Sequence, residues 1–482
     1  MNLQQKEYHT MKKLHRIIVV FFLIVFFASC ALMPEINEPT YSNAGQVFVY
    51  LSSSQEPSTD ITFVISGLSF MNRDGIWFDV PLKPRSINSI KLSRNQIKLR
   101  EFYLPDGKYK KIKLIVSEAS LERDNEKHSL ALPQAVDNQM IHGELLVDID
   151  FNVFYRESLC LFVDWDINRS IVDKYLFQPR FVAKPQGLEI KNILAYVSNE
   201  GSNCVTVIDK QEDSVVGTIA VGEAPMGIIA SSDGARIYVA NSRSNSISVI
   251  DTSVNRVSTT IDNLGYSPEE LALSWDDNTL FVTNPRSNNV SVIDVASNMA
   301  VARINVGEKP IDIVADTERR KLYVSNYYSL SISVIDMATL VVESTINLSS
   351  NPKYLALCDD RLYIGSESVN DVYVLNIPSY SIDTVNMGSR PERLVCGLTN
   401  RVYAGNIAFD EISFLHTGLD MITKNIAVGR SPAGMDVDAI RRKLYVTNKS
   451  SEDVSVIDIK TERVIKTVHV GKKPHDIVLV AE

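Results

Sequence analysis

The residues best able to do chemistry in this chain stand just after a recurring proline. They are Glu269 and Glu270 after Pro268, Asp312 two places after Pro310, Lys353 and Tyr354 after Pro352, Glu392 and Arg393 after Pro391, and His475 and Asp476 after Pro474. Convergent carboxylates beside an imidazole are what acid–base catalysis or a bound cation requires. Each pair lies tens of residues from the next, so they form one site only if the fold superposes equivalent positions of successive units. The same residues would otherwise be a polar channel with its charges paired across the middle. Two further units carry Met226-Gly227 and Ala433-Gly434 at these positions and bring no charge.

Other chemical signatures are missing from the sequence. It holds no Gly-x-Ser-x-Gly elbow, no His-Glu-x-x-His and no phosphate loop, so no catalytic residue is assigned. Asp164 and Asp166 alternate on one segment, but two carboxylates fall short of the six or more oxygens a hard cation takes, and neither a metal nor a cofactor is expected. Cys160, Cys204, Cys358 and Cys396 are scattered singly, without a Cys-x-x-Cys pair. Cys358 and Cys396 follow the prolines of two successive units. A disulfide between them is not expected, because separate sheets should stand too far apart for a bridge.

The elements that must position the Pro-led residues repeat seven times. Tyr196, Tyr238, Phe281, Tyr323, Tyr363, Tyr403 and Tyr445 recur every 40 to 43 residues, the length of one four-stranded propeller blade. Each leads a strand, followed by a strand ending in Val-Ile-Asp or a variant, a third strand, and a Gly-x-x-Pro turn. Alternation of small polar with β-branched residues, as in Ser246-Ile-Ser-Val-Ile250, specifies strands. Asp209, Asp251, Asp294, Asp336, Asn376, His416 and Asp458 should form turns by accepting from nearby backbone amides. Asn199, Asn241, Asn284, Asn326, Asn406 and Asn448 should end hairpins. The first unit lacks a Pro-led strand, and the chain ends in one alone, Pro474-His-Asp-Ile-Val-Leu-Val480. That last strand is expected to complete the first blade and close the ring, removing open sheet edges.

Tyr196-Val-Ser-Asn199, Phe281-Val-Thr-Asn284 and Tyr445-Val-Thr-Asn448 resemble the YVTN family of β-propeller repeats of microbial surface and periplasmic proteins, over residues of about 193–482. The resemblance implies a seven-bladed propeller. Tyr363-Ile-Gly-Ser366 with Val372-Tyr-Val-Leu-Asn376, and Tyr403-Ala-Gly-Asn406 with Ile412-Ser-Phe-Leu-His416, depart from the pattern: either binding specificity is written into these two blades or they have drifted, and drift is the preferred reading.

Ahead of the repeats, Lys12, Lys13 and Arg16 precede an apolar run from Ile17 to Ala28 that is too short to span a bilayer comfortably and has the form of a secretory signal. Phe27-Ala28-Ser29-Cys30 resembles a bacterial lipobox, which makes Cys30 the lipid anchor; Ala31, instead of Asp, implies outer-membrane delivery. Residues 31–44 read as a tether. Residues 45–183 are strand-rich and long enough for their own sandwich core, with 184–192 as a linker. Ile76-Trp-Phe-Asp79, Leu104-Pro-Asp-Gly-Lys-Tyr109 running into Ile112-Lys-Leu-Ile-Val116, and Val163-Asp-Trp-Asp-Ile-Asn-Arg-Ser-Ile-Val172 before Leu176-Phe-Gln-Pro-Arg180 resemble a domain of unknown function frequent in bacterial lipoproteins, which implies an immunoglobulin- or transthyretin-like β-sandwich and no activity.

The expected class is therefore all-β: a β-sandwich, then a propeller. A net charge of −9 without a basic stripe argues against nucleic acid as the partner. The expected function is that of a monomeric, lipid-anchored, non-enzymatic envelope module binding a protein or glycan. The alternative is a channel-mouth hydrolase, lactonase or lyase, with or without calcium.

Overall fold

The computed structural model describes residues 41–93, 95–132, 140–141, 143–187, 193–388, 390–398 and 400–480 of the 482-residue chain. The signal segment, Cys30, most of the tether and residues 188–192 of the linker lie outside the described residues.

Residues 44–185 form two packed sheets. One has the order Arg180–Pro185, Ser158–Asp166, Ala44–Ser52, Gln96–Pro105; the other is built on Asp60–Asn72, Gly107–Arg123 and Glu144–Val153. Side chains alternate across a strand, so Val47, Val49 and Leu51 enter the sandwich core with Phe63, Phe70 and Trp165. Trp165 meets Phe63 edge to face at 4.8 Å, and its indole N–H donates to Ser170 Oγ at 2.8 Å. Phe48, Tyr50 and Cys160, on the opposite face, are equally buried because the propeller covers them, alongside Ala195, Cys204, Ile208 and Val215.

Seven four-stranded antiparallel sheets follow. In each, the Pro-led strand is innermost, then the Tyr-led strand, then the Val-Ile-Asp strand, then the outer strand. Sheet 2, for example, runs Pro225–Ala230, Arg236–Asn241, Ser246–Asp251, Arg256–Ile261. Sheet 1 takes its innermost strand from the end of the chain: Pro474–Leu479 lies antiparallel to Leu194–Asn199, with Tyr196 opposite Val478. Inner strands touch their neighbours in cyclic order, and Pro474–Leu479 meets the inner strands of both sheet 7 and sheet 2. The sheets are called blades 1 to 7 below.

The repeated asparagines do more than end hairpins. Each is buried, and its Nδ2 donates across the hairpin to a hydroxyl seven residues on, Thr206, Ser248, Ser291, Ser333, Ser413 or Ser455, at 2.6–3.0 Å. The glycine of the Gly-x-x-Pro turn lies against this amide, and a Cβ at Gly265 or Gly307 would strike Asn284 or Asn326. Blade 5 replaces the set as a unit: Ser366 stands for Asn, Tyr373 for Ser, and Ser350 donates to Ser366 at 3.2 Å and bonds the Tyr373 hydroxyl at 2.9 Å. The departure there is a compensated exchange of hydrogen-bonding groups. The turn residues behave as expected: Asp209 accepts from the Gln211 amide at 2.7 Å, Asp458 from Thr461 at 2.6 Å, and His416 Nδ1 from Gly418 at 3.2 Å.

One expectation is corrected. Cys358 and Cys396 form a disulfide, with Cα atoms 5.7 Å apart. Both lie on the innermost strands of blades 5 and 6, Leu355–Cys358 and Pro391–Cys396. Blades converge toward the axis, so inner strands approach one another closely even where the outer strands diverge.

The sandwich docks where the last blade meets the first. Gln96 exchanges two hydrogen bonds with the Val215 backbone (3.0 and 3.2 Å), and Gln186 exchanges two with Thr218 (2.9 and 3.2 Å), satisfying edge groups of the outer strand of blade 1. Lys98 pairs with Glu452 of blade 7 at 3.1 Å, while Glu101 accepts from Ser202 of blade 1 at 2.8 Å.

Candidate functional site

The second residue after each turn proline lies at the inner end of its blade, so the seven blades bring Gly227, Glu270, Asp312, Tyr354, Arg393, Gly434 and Asp476 toward one another. Arg393 of blade 6 spans the ring. Its Nη1 lies 2.9 Å from Glu270 Oε1 of blade 3, its Nη2 2.9 Å from Asp476 Oδ1 of blade 1, and its guanidinium carbon 4.2 Å from the centre of the Tyr354 ring. Glu270, Asp312, Tyr354, Arg393 and His475 are all buried. The two glycines make this possible: a Cβ at Gly227 would collide with Glu270, and one at Gly434 with Asp476.

The electrostatics follow from burial. It opposes the Arg393 charge, but Asp476 and Glu270 outweigh it and hold the guanidinium well above its ordinary range. Burial raises Glu270 and Asp476, and Arg393 pulls both back. Asp312 is pushed up to about 8, by burial and then by Glu270. Its carboxyl also ties two blades together, accepting from the Ile313 amide at 2.7 Å and from the Leu355 amide of blade 5 at 2.7 Å. His475 is lowered to about 3 by burial and by Arg393, so its imidazole is neutral. Its Nε2 stands 3.6 Å from Glu270 Oε1, and neither ring nitrogen has a hydrogen-bond partner among the described residues.

The structure thus divides the predicted rim. Glu270, Asp312, Tyr354, Arg393, His475 and Asp476 come together as a buried cluster crossing the channel. Glu269 is half-buried, lifted to about 7 by burial and by Glu270 while Lys309 and Lys353 act in the opposite direction. Lys353 turns outward and pairs with Glu367 at 2.8 Å. The side chain of Glu392 lies outside the described residues.

Sequence reasoning missed Asp436, which fastens blade 7 to the closing strand by accepting from the Val437 amide at 2.7 Å and the Leu479 amide at 2.8 Å. It also missed the loops around the mouth. The Tyr327 amide donates to the Lys309 carbonyl at 2.9 Å and the Tyr328 amide to Glu308 at 3.1 Å. Lys309 Nζ then sits 4.3 Å and 4.7 Å from the two tyrosine ring centres. The Tyr327 hydroxyl donates to Glu367, and Asn351 Nδ2 to the Tyr327 carbonyl at 2.9 Å. The available signal was internal: the two positions after the hairpin Asn read Glu-Gly, Ser-Arg, Pro-Arg and Lys-Ser in blades 1, 2, 3 and 7, and Tyr-Tyr only in blade 4.

Comparison with known proteins agrees with this architecture. Residues 191–316 match a YNCE-like beta-propeller, and residues 44–179 match a domain of unknown function, DUF4382. None of the curated proteins matches the chain. Among solved structures, hydrazine synthase of Kuenenia stuttgartiensis is similar with a TM-score of 0.52 at 20% identity, over 55% of this chain and 91% of that one. A functionally unknown protein from Desulfotomaculum acetoxidans is similar with a TM-score of 0.54 at 12% identity, over 60% of this chain and 99% of that one. At such identities the likeness is one of fold. The two family matches follow one another along the chain, the DUF4382 match over residues 44–179 and the YNCE-like beta-propeller match over residues 191–316.

Proposed function

We propose that this is an exported, lipid-anchored protein of the outer membrane whose propeller is a recognition module for an envelope protein or glycan. The observation that carries the reading is Arg393. Its guanidinium occupies the axis with both carboxylate partners engaged, so the groups best suited to catalysis are spent on holding the ring. What stays variable and accessible is the loop face above, carried on a rigid scaffold that loses little entropy on binding. The Cys358–Cys396 disulfide supports an oxidising compartment, in keeping with the signal-like segment and Cys30.

A second reading, a channel-mouth hydrolase, lactonase or lyase, is favoured by Glu269, whose carboxyl near 7 suits general acid–base chemistry. Labelling cells with palmitate and applying native envelope material to the immobilised protein tests the proposal. Lipid should enter the wild-type chain and not Cys30→Ser, and a protein or glycan should be retained without being consumed. An unlabelled wild-type chain, or turnover of a bound molecule lost in Glu269→Gln, contradicts it.

A further inference from the structure

Around the channel mouth, the loops of blades 3, 4 and 5 form one hydrogen-bonded arc. The Tyr266 amide donates to Ser287 Oγ at 2.7 Å, the Lys309 amide to Asn288 Oδ1 at 2.9 Å, and Ser368 Oγ to Asn351 Oδ1 at 3.0 Å, so each turn is tied to a neighbouring hairpin. On this arc Tyr266 is 68% exposed and Tyr328 62% exposed. Nothing in the repeat requires either ring, because the equivalent positions of other blades are small or charged. Lys309 lies over both Tyr327 and Tyr328 and makes no ion pair among the described residues. Lys353, Glu367 and the Tyr327 hydroxyl form a network beside it that fixes Tyr327 in place.

An exposed aromatic ring beside an ammonium held in place by its neighbours matches a ligand with an apolar face and an acidic edge. The C–H face of a pyranose ring stacks on tyrosine, while a carboxylate on the same ring gains a charge-assisted hydrogen bond from the ammonium. A neutral sugar would use only the first contact, and a simple anion only the second. We infer that the arc of Tyr266, Lys309, Tyr327 and Tyr328 binds a carboxylate-bearing saccharide. This rests on the recognition reading above and names its ligand class.

The test is titration of the purified full-length protein in detergent with oligogalacturonate, with the same oligosaccharide after reduction of its carboxyl groups, and with acetate. Wild type should bind oligogalacturonate at least tenfold more tightly than either control. Tyr328→Ala, at an exposed position, and Lys309→Ala, at a half-buried one whose side chain makes no ion pair among the described residues, should each weaken it at least tenfold with an unchanged melting temperature, and Lys309→Arg should retain most of it. Equal binding of the reduced saccharide, or undiminished binding by both alanine variants, overturns the inference. If no saccharide binds while native envelope material is still retained, the ligand class is wrong and the recognition reading stands; if neither is retained, both fail.

Discussion

Arg393 and Glu270, 123 residues apart in sequence and three blades apart in the ring, share a buried hydrogen bond of 2.9 Å across the propeller axis. Because Asp476 meets the same guanidinium from the closing strand, one side chain links blades 6, 3 and 1. Arg393→Met should leave two buried carboxylates unneutralised and destabilise the protein by about 3–5 kcal/mol. Arg393→Met combined with Glu270→Gln should recover part of that loss, because one of the stranded charges is removed. Denaturant melts of the single and double variants measure both effects.

His475 gives a pH dependence whose sign is fixed by burial. Its folded-state value of about 3 lies below that of an unfolded histidine, about 6.5, so below pH 6.5 the unfolded chain binds a proton that the folded chain refuses. The stability contribution is intact above pH 6.5 and falls by up to about 1.4 kcal/mol per pH unit as pH drops toward 3. Asp312 and Glu269, both raised, slope the other way, so the useful quantity is a difference. His475→Gln should lose less stability than wild type between pH 6.5 and 4, and equal slopes would show that His475 already titrates normally in the fold.

The disulfide between blades 5 and 6 closes a loop with a sequence separation of 38. Loop-closure entropy then puts its contribution at about 2–4 kcal/mol. Cys358→Ser with Cys396→Ser should lower the denaturation midpoint by the corresponding amount, and a reducing agent should lower that of wild type but leave the double variant unmoved.

Gln96 and Gln186 act as a clasp on the outer edge of blade 1. Replacing both by alanine removes four hydrogen bonds to backbone groups and should cost on the order of 1 kcal/mol for each residue. The expected calorimetric signature is the splitting of one transition into two, as the sandwich releases the seam between blades 7 and 1. A single transition at the original temperature would show that the apolar contacts of Phe48 and Tyr50 suffice.

Much of the fold was legible because a propeller blade is a local object. The Tyr-led strand, the Val-Ile-Asp strand and its turn lie within one repeat, and the orphan Pro474 strand pointed to its partner at Leu194–Asn199. Relations between blades were harder to read. The approach of Cys358 to Cys396 depends on inner strands converging, which spacing along the chain does not report. Likewise, residues after each proline could be assigned to the axis, but not whether they would line an open mouth or meet across it. The docking of the sandwich left one trace in the sequence: Gln46-Val-Phe-Val-Tyr-Leu51 is apolar on both faces, the mark of a strand covered twice. Tyr327 and Tyr328 escaped notice because they lie on hairpins, outside the Pro-led positions where variation was sought.

The central claim is that recognition belongs to the loop face of blades 3 to 5 and that the Arg393 cluster is structural. Binding of native envelope material to three folded forms, wild type, Lys309→Ala with Tyr328→Ala, and Glu270→Gln, tests it most directly, with the melting temperature of each recorded alongside. The account predicts that the loop-face variant melts like wild type and loses binding at least tenfold, while Glu270→Gln melts at a lower temperature and binds undiminished. Binding lost in folded Glu270→Gln and kept in the loop-face variant would contradict it.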